Sequence, residues 1–213
     1  MRKKIGVIGV AALISVLIFG VVPAQAGLLN VGGMAGYYNP NFGEVNDEYL
    51  EGFSKKFEGG LTYGLALSYD ISPNIRIRGE YNTFTSKASD DTLSPIMTFE
   101  EKLTVTPIIL SGIYRISPNV PLCPYIGAGV GSFSTKMEEK IEFLGIPVPY
   151  EDKDSPIGFQ VLGGVEFGGG NFSLAAEARY IVAKAELNSD EAAFYTNVDL
   201  GGLFVGLIAS IKF

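Results

Sequence analysis

The final eleven residues, Leu203-Phe-Val-Gly-Leu-Ile-Ala-Ser-Ile-Lys-Phe213, narrow the possible folds most sharply. Counted back from Phe213, residues Ile211, Ala209, Leu207, Val205 and Leu203 share one face of a strand. Lys212, Ser210, Gly206 and Gly202 share the other, with Ile208 and Phe204 as exceptions. A wall strand that is apolar outside, small or polar inside and closed by an aromatic suits a lipid-facing sheet. A soluble sandwich strand that stops at an aromatic is the competing reading, and three further features weigh against it.

Arg2, Lys3 and Lys4 precede an apolar stretch from Ile5 to Val22, and Pro23-Ala-Gln-Ala26 supplies a small-x-small cleavage pattern. This predicts an export signal over residues 1–26, cut between Ala26 and Gly27, with one domain over 27–213. The remaining 187 residues carry 13 basic and 23 acidic groups, a charge of −10. Such a balance argues against nucleic acid as a partner. The single cysteine, Cys123, cannot form an internal disulfide. No second long apolar run follows, so a bilayer would be crossed by strands.

Alternation is the second feature. Leu61, Tyr63, Leu65, Leu67, Tyr69 and Ile71 oppose Gly60, Thr62, Gly64, Ala66, Ser68 and Asp70. Ile157, Phe159, Val161, Val165 and Phe167 oppose Gly158, Gln160, Gly164 and Glu166; Phe172, Leu174, Ala176, Ala178, Tyr180 and Val182 oppose Ser173, Ala175, Glu177, Arg179 and Ala183. Ile75, Ile77 and Tyr81 oppose Arg76, Arg78, Glu80 and Asn82. A water-soluble barrel hides its bulky face inside and solvates charges outside. Here the opposite face is mostly Gly, Ala, Ser and Thr, which fits a narrow lumen and leaves Leu, Ile, Tyr and Phe for lipid. Tyr63, Tyr69, Tyr81, Tyr180 and Phe167 are expected at the membrane interfaces, since Trp is absent.

The third feature is an echo between Tyr69-Asp-Ile-Ser-Pro-Asn-Ile75 and Tyr114-Arg-Ile-Ser-Pro-Asn-Val120. Ser-Pro-Asn is tight-turn chemistry, and Gly168-Gly-Gly-Asn171 makes a third short connection. Longer polar stretches lie near residues 39–57, 87–100, 136–155 and 186–197. Short turns alternating with long loops predict an all-β, transmembrane, antiparallel up-and-down barrel of eight strands. The strands fall near residues 28–38, 58–71, 75–87, 101–116, 123–136, 156–167, 172–185 and 198–213. Within 101–116, Leu103, Val105, Pro107 and Ile109 set one phase while Leu110, Tyr114 and Ile116 set the other, so a bulge near Ile109–Ser111 is expected.

The closing segment and Pro124-Tyr-Ile-Gly-Ala-Gly-Val-Gly131 resemble the small OmpX/OmpA/OmpW-type outer-membrane barrels. The glycine run has neither the helix nor the Lys-Ser/Thr that a phosphate loop requires. It places bare backbone on one barrel face and leaves room for neighbouring side chains. The resemblance implies localisation in the cell outer membrane, contact with its lipid, insertion by the assembly machinery with Phe213 as the recognition residue, and a monomer.

No histidine is present and one cysteine makes no thiolate cluster, so catalysis, metal sites and cofactors are not expected. The inward charges Arg76, Arg78, Glu80, Glu166, Glu177 and Arg179 form the most informative polar set. They either line a narrow porin-like channel for small solutes or ions, or pair across the lumen and plug it. Three Arg against three Glu favour the plug, and with it a structural or surface-interaction role. The loop over 136–155 carries an apolar tip, Phe143 to Tyr150, flanked by charges; it is either a contact site for an extracellular ligand or an extension of the hairpin. In loop one, Phe42, Tyr49 and Phe53 stand among acidic groups, and a solvated acidic rim is expected there.

Overall fold

A computed structural model describes residues 29–48, 54–90, 97–143, 146–169, 171–188 and 195–213. The export signal and its Ala26–Gly27 junction lie outside these residues, as do Tyr49 and Phe53. The chain runs β1 (Leu29–Pro40), α1 (Gly43–Glu48), β2 (Gly60–Asp70), β3 (Ile75–Asp90), β4 (Met97–Arg115) and β5 (Leu122–Phe143). It continues through β6 (Ile146–Asp154), β7 (Ile157–Gly169), β8 (Phe172–Val182), β9 (Lys184–Asn188), β10 (Tyr195–Asp199) and β11 (Gly202–Lys212).

Eight of these strands close into an antiparallel barrel in the order β4-β3-β2-β1-β11-β8-β7-β5, with β4 pairing back to β5. The first and last strands meet along their whole length, from Asn30 opposite Lys212 to Pro40 opposite Gly202. Phe213 N–H then donates to Leu29 O at 2.8 Å, fastening the end of the wall. Closure leaves no open edge in the wall, which a sheet in hydrocarbon requires.

The alternation sets the faces as the sequence predicts. Leu61, Tyr63, Leu65, Tyr81, Phe159, Phe167, Tyr180, Leu203 and Leu207 are exposed outward, while Thr62, Ala66, Ser68, Arg78, Glu80, Gln160, Glu177 and Arg179 are buried inside. The apolar outer face meets lipid. No helix among the described residues is long and apolar enough to cross a membrane.

Two stretches expected to be long loops continue the wall instead, and a third forms a separate two-stranded sheet, β9–β10. The β3–β4 hairpin keeps one register from Ile75 opposite Tyr114 up to Asp90 opposite Phe99. Strand β5 runs on to Phe143 and pairs with β6 above Thr135 and with β7 below Ser132. The interruption is Ser155-Pro156, where proline lacks a ladder donor; Phe133 N–H still bonds Pro156 O at 2.8 Å, so register survives. Strand β8 stops at Val182 rather than near 185, but Leu200 N–H bonds Ala183 O and the β9–β10 hairpin carries on above. Among the described residues the long irregular stretch is the one after β1, and it contains α1.

The bulge expected near Ile109–Ser111 is not formed. Strand β4 pairs residue for residue with β5 from Met97 opposite Phe143 to Arg115 opposite Tyr125. Leu103, Val105, Ile109 and Ile113 all point inward and are buried, while Tyr114 and Ile116 are exposed outside. The two phases coexist because this part of the wall is apolar on both faces. Phe204 and Ile208 of β11 are likewise lumen residues, each 4% exposed.

Glycines in the wall make room for the interior. A Cβ on Gly164 would sit 2.6 Å from the Tyr125 ring, and one on Gly158 would sit 2.6 Å from the Phe133 ring. The bare backbone of β7 is therefore what lets two aromatics of β5 lie across a narrow lumen.

Candidate functional site

Register converts the inward face into heights, and the inward charges fall into two tiers. The lower tier sits at the short-turn end. Arg76 of β3 donates from Nε to Asp70 Oδ1 at 2.6 Å and from Nη1 to Glu166 Oε2 at 2.5 Å. Arg115 of β4 lies 3.3 Å from Asp70 and 3.8 Å from Glu166, and Lys212 Nζ lies 3.9 Å from Asp70. Three cations from three strands thus meet around two carboxylates.

The upper tier spans mid-lumen. Arg78 Nη2 donates to both Glu177 oxygens at 3.0 and 2.7 Å. Arg179 grips Glu80 in a two-pronged contact, Nη1 to Oε2 and Nη2 to Oε1, each at 2.9 Å. Its Nε donates to Glu177. Arg78 Nε also lies 2.6 Å from Glu80 Oε1, an ion contact in which the N–H does not point along the line. Tyr125 OH donates to Glu177 Oε2 at 2.8 Å, and Gln160 Nε2 bridges Glu80 and Ser111 at 3.0 and 2.9 Å. Both glutamate side chains are wholly excluded from solvent, and two cations balance them. Buried charges persist only when paired and hydrogen-bonded in this way.

All six charges singled out in the sequence enter these tiers. Arg76 and Glu166 belong to the lower one; Arg78, Glu80, Glu177 and Arg179 form the upper. Sequence reasoning missed Arg115, Tyr125, Ser111 and the bridging of Gln160. Alternation puts Asp70 and Lys212 on the inward face but does not show their pairing. Alternation signals which side a residue faces, whereas a partner requires the register of the facing wall.

Above the charges the lumen turns apolar. The Arg179 guanidinium lies 4.7 Å from the centre of the Phe204 ring, which marks the boundary. Beyond it Phe84, Leu103, Val105, Phe133, Ile181 and Leu200 are buried together. The stretch after β1 folds over this layer. Phe42, Val45 and Phe57 are buried, with the Phe42 ring 5.6 Å from Phe57 and 6.4 Å from Phe84. Asn46 clasps the cap by donating to Phe57 O at 2.9 Å and accepting from Phe57 N–H at 3.0 Å. Loop one is therefore not simply a solvated acidic rim, because Phe42 and Phe57 enter the core.

The wall above the lipid belt carries its own electrostatics. On its outer face Lys87–Glu100, Lys102–Glu138, Lys136–Glu138 and Lys136–Glu151 pair at 2.7 to 3.2 Å. On its inner face Glu101 of β4 stands directly opposite Glu139 of β5. Burial, with the Glu139 carboxylate added, pushes Glu101 up to about 7. Among the described residues no group of three His, Cys, Asp or Glu side chains is placed to hold a metal ion. Cys123 is buried beside the second short turn, and Phe213 is exposed at the wall's lower rim.

The sequence matches the family described as outer membrane protein beta-barrel domain over residues 10–202. No curated protein matches it. Among solved structures it is similar to a major outer membrane protein from Thermus thermophilus, at 14% identity and a TM-score of 0.55, covering 89% of this chain and 100% of that one. It is also similar to OprG from Pseudomonas aeruginosa, at 14% identity and TM-score 0.53, covering 88% and 97%. Neisserial surface protein A follows at 18% identity and TM-score 0.50, covering 88% and 98%. These likenesses concern the fold.

Proposed function

We propose, from the premise that this chain belongs to the outer membrane protein beta-barrel domain family and resides in the cell outer membrane, that it is a closed barrel with a structural or surface-interaction role. The short-turn end faces the periplasm and the extended hairpins stand outside the cell. The single observation carrying this reading is the filled interior: two tiers of paired charges below, an aromatic and aliphatic layer above, and a cap. A water column would need unpaired polar surface, and these charges spend their hydrogen bonds on each other.

The chain is not an enzyme in this reading, since it has no histidine to act as base. The export signal over 1–26 is removed at Ala26–Gly27, and Phe213 serves the assembly machinery as a recognition residue while anchoring the rim. The protein works as a monomer, and the β5–β6 hairpin over 136–155 is its surface for an extracellular ligand, standing clear of lipid on a charge-laddered sheet.

Planar-bilayer recording on the refolded protein is the test. The expected result is no stable channel for wild type. Discrete channels whose ion selectivity changes on Arg78→Glu would replace the plug with a narrow passive pore. Deleting residues 141–150 should then reduce partner or cell binding without altering the barrel; unchanged binding removes the hairpin surface.

A further inference from the structure

At the short-turn mouth a cavity of 160 Å³ opens below the lower charge tier. Its walls include Asn30 of β1, Arg76 of β3, Arg115 of β4, Glu166 of β7, Ser173 of β8 and Lys212 of β11. What sets it apart from the tiers above is that its orphaned atoms are donors beside a cavity, whereas above, Arg78 Nε and Glu80 Oε1 lie 2.6 Å apart as an ion contact. Asn30 is 4% exposed, and among the described residues its Nδ2 has no hydrogen-bond partner. The buried Nε of Arg115 has none either. An orphaned buried donor costs free energy that an acceptor recovers.

The charge around the cavity has the matching sign. Arg76, Arg115 and Lys212 oppose Asp70 and Glu166, which leaves one positive charge in excess. Glu166 is the carboxylate lining the cavity, and its oxygens are turned to Arg76 at 2.5 Å and Arg115 at 3.8 Å. Lys212 is 40% exposed and lies 3.9 Å from its carboxylate, so its ammonium can turn to an incoming ligand. The volume exceeds that of one water several times over and is ample for an anion of a few heavy atoms.

We infer that this mouth is a binding site for a small oxyanion, a phosphate or carboxylate group, received by the part-exposed Lys212 ammonium and then held by Asn30 and Arg115, whose orphaned Nδ2 and Nε are buried in the free protein and turn to the bound group. Charge-assisted hydrogen bonds from a planar guanidinium and an amide suit two oxygens on one centre, and the lysine neutralises the charge. The group is delivered either by a free anion or by a phospholipid head of the inner leaflet, because the site lies at the membrane rim beside exposed Phe172.

The test uses the full refolded barrel and follows the Asn30 side-chain amide and Arg115 Nε–H by NMR. In zwitterionic micelles, titration with inorganic phosphate, and separately with acetate, should give saturable shifts at both groups. In nanodiscs containing phosphatidylglycerol without added anion, the same shifts would assign the site to a lipid head. Lys212→Gln, at a part-exposed position that should fold normally, should weaken binding several-fold, and Asn30→Ala about tenfold. Shifts absent in both settings, or binding unchanged in both variants, would overturn the site.

Discussion

In the half of the lumen beside the short turns, Arg76, Arg78, Arg115 and Arg179 interlock with Asp70, Glu80, Glu166 and Glu177. In the half beside the extended hairpins, Phe84, Leu103, Val105, Phe133 and Ile181 fill a similar cross-section with uncharged side chains, below the facing Glu101 and Glu139. Both halves lie inside one wall of one register, so the difference is chemical rather than architectural. The charged half depends on completeness, since each ion has given up water and is stable only beside its partners. The apolar half depends on volume, and loses stability in proportion to the space left empty. Substitutions that separate these two dependences break or sharpen the contrast.

The largest effect is expected from Glu177→Ala, which strands Arg78, Arg179 and the Tyr125 hydroxyl together. It should cost about 3–5 kcal/mol in urea unfolding from micelles, whereas replacing the whole four-charge tier with apolar residues of like volume should cost far less. A Glu177→Ala loss no larger than the apolar redesign would show the tier acts as filler. Leu103→Ala, at a position with no exposure, should cost about 3 kcal/mol, and Leu103→Met under about 1.5 kcal/mol. Equal losses for both variants would mean that volume does not govern the upper half.

Glu101 tests the upper half by pH. Its folded pKa, near 7, stands above the ordinary 4.5, so the folded state holds the proton more tightly than the unfolded chain. Stability is therefore lost as pH rises from about 4.5 to 7 and stays lower beyond. Glu101→Gln should match wild type in acid and exceed it by about 2 kcal/mol above pH 7, read as amide-exchange protection in the β4–β5 hairpin. A pH-independent difference would remove the carboxylate pair as the cause. The smallest effect belongs to Lys102→Ala, where an exposed pair with Glu138 should contribute under about 1 kcal/mol to thermal unfolding.

Much of this contrast was legible in the chain. Alternation at Leu61–Asp70 and Phe172–Val182 shows which side chains face lipid, and it puts the arginines and glutamates together on the inward phase. The apolar half was not legible for a specific reason. Between Leu103 and Ile116 both phases carry bulky apolar residues, and on the premise that a single face is bulky that conflict calls for a bulge near Ile109–Ser111. Phe204 and Ile208 looked like lapses for the same reason. A barrel with a greasy interior segment erases the amphipathic signal, and only pairing of β4 with both neighbours restores it. Phe42 was hidden differently, since its burial follows from a loop folding back over the lumen.

Whether water can pass through the filled lumen is tested most directly at Ser111, which is 1% exposed and faces mid-lumen. A Ser111→Cys variant with Cys123→Ser would be folded into proteoliposomes and exposed to a charged methanethiosulfonate reagent, with labelling read by mass. The account predicts no labelling until the barrel is denatured, when it becomes complete. Rapid labelling of the folded protein from either side would reveal a continuous aqueous path and contradict the plug.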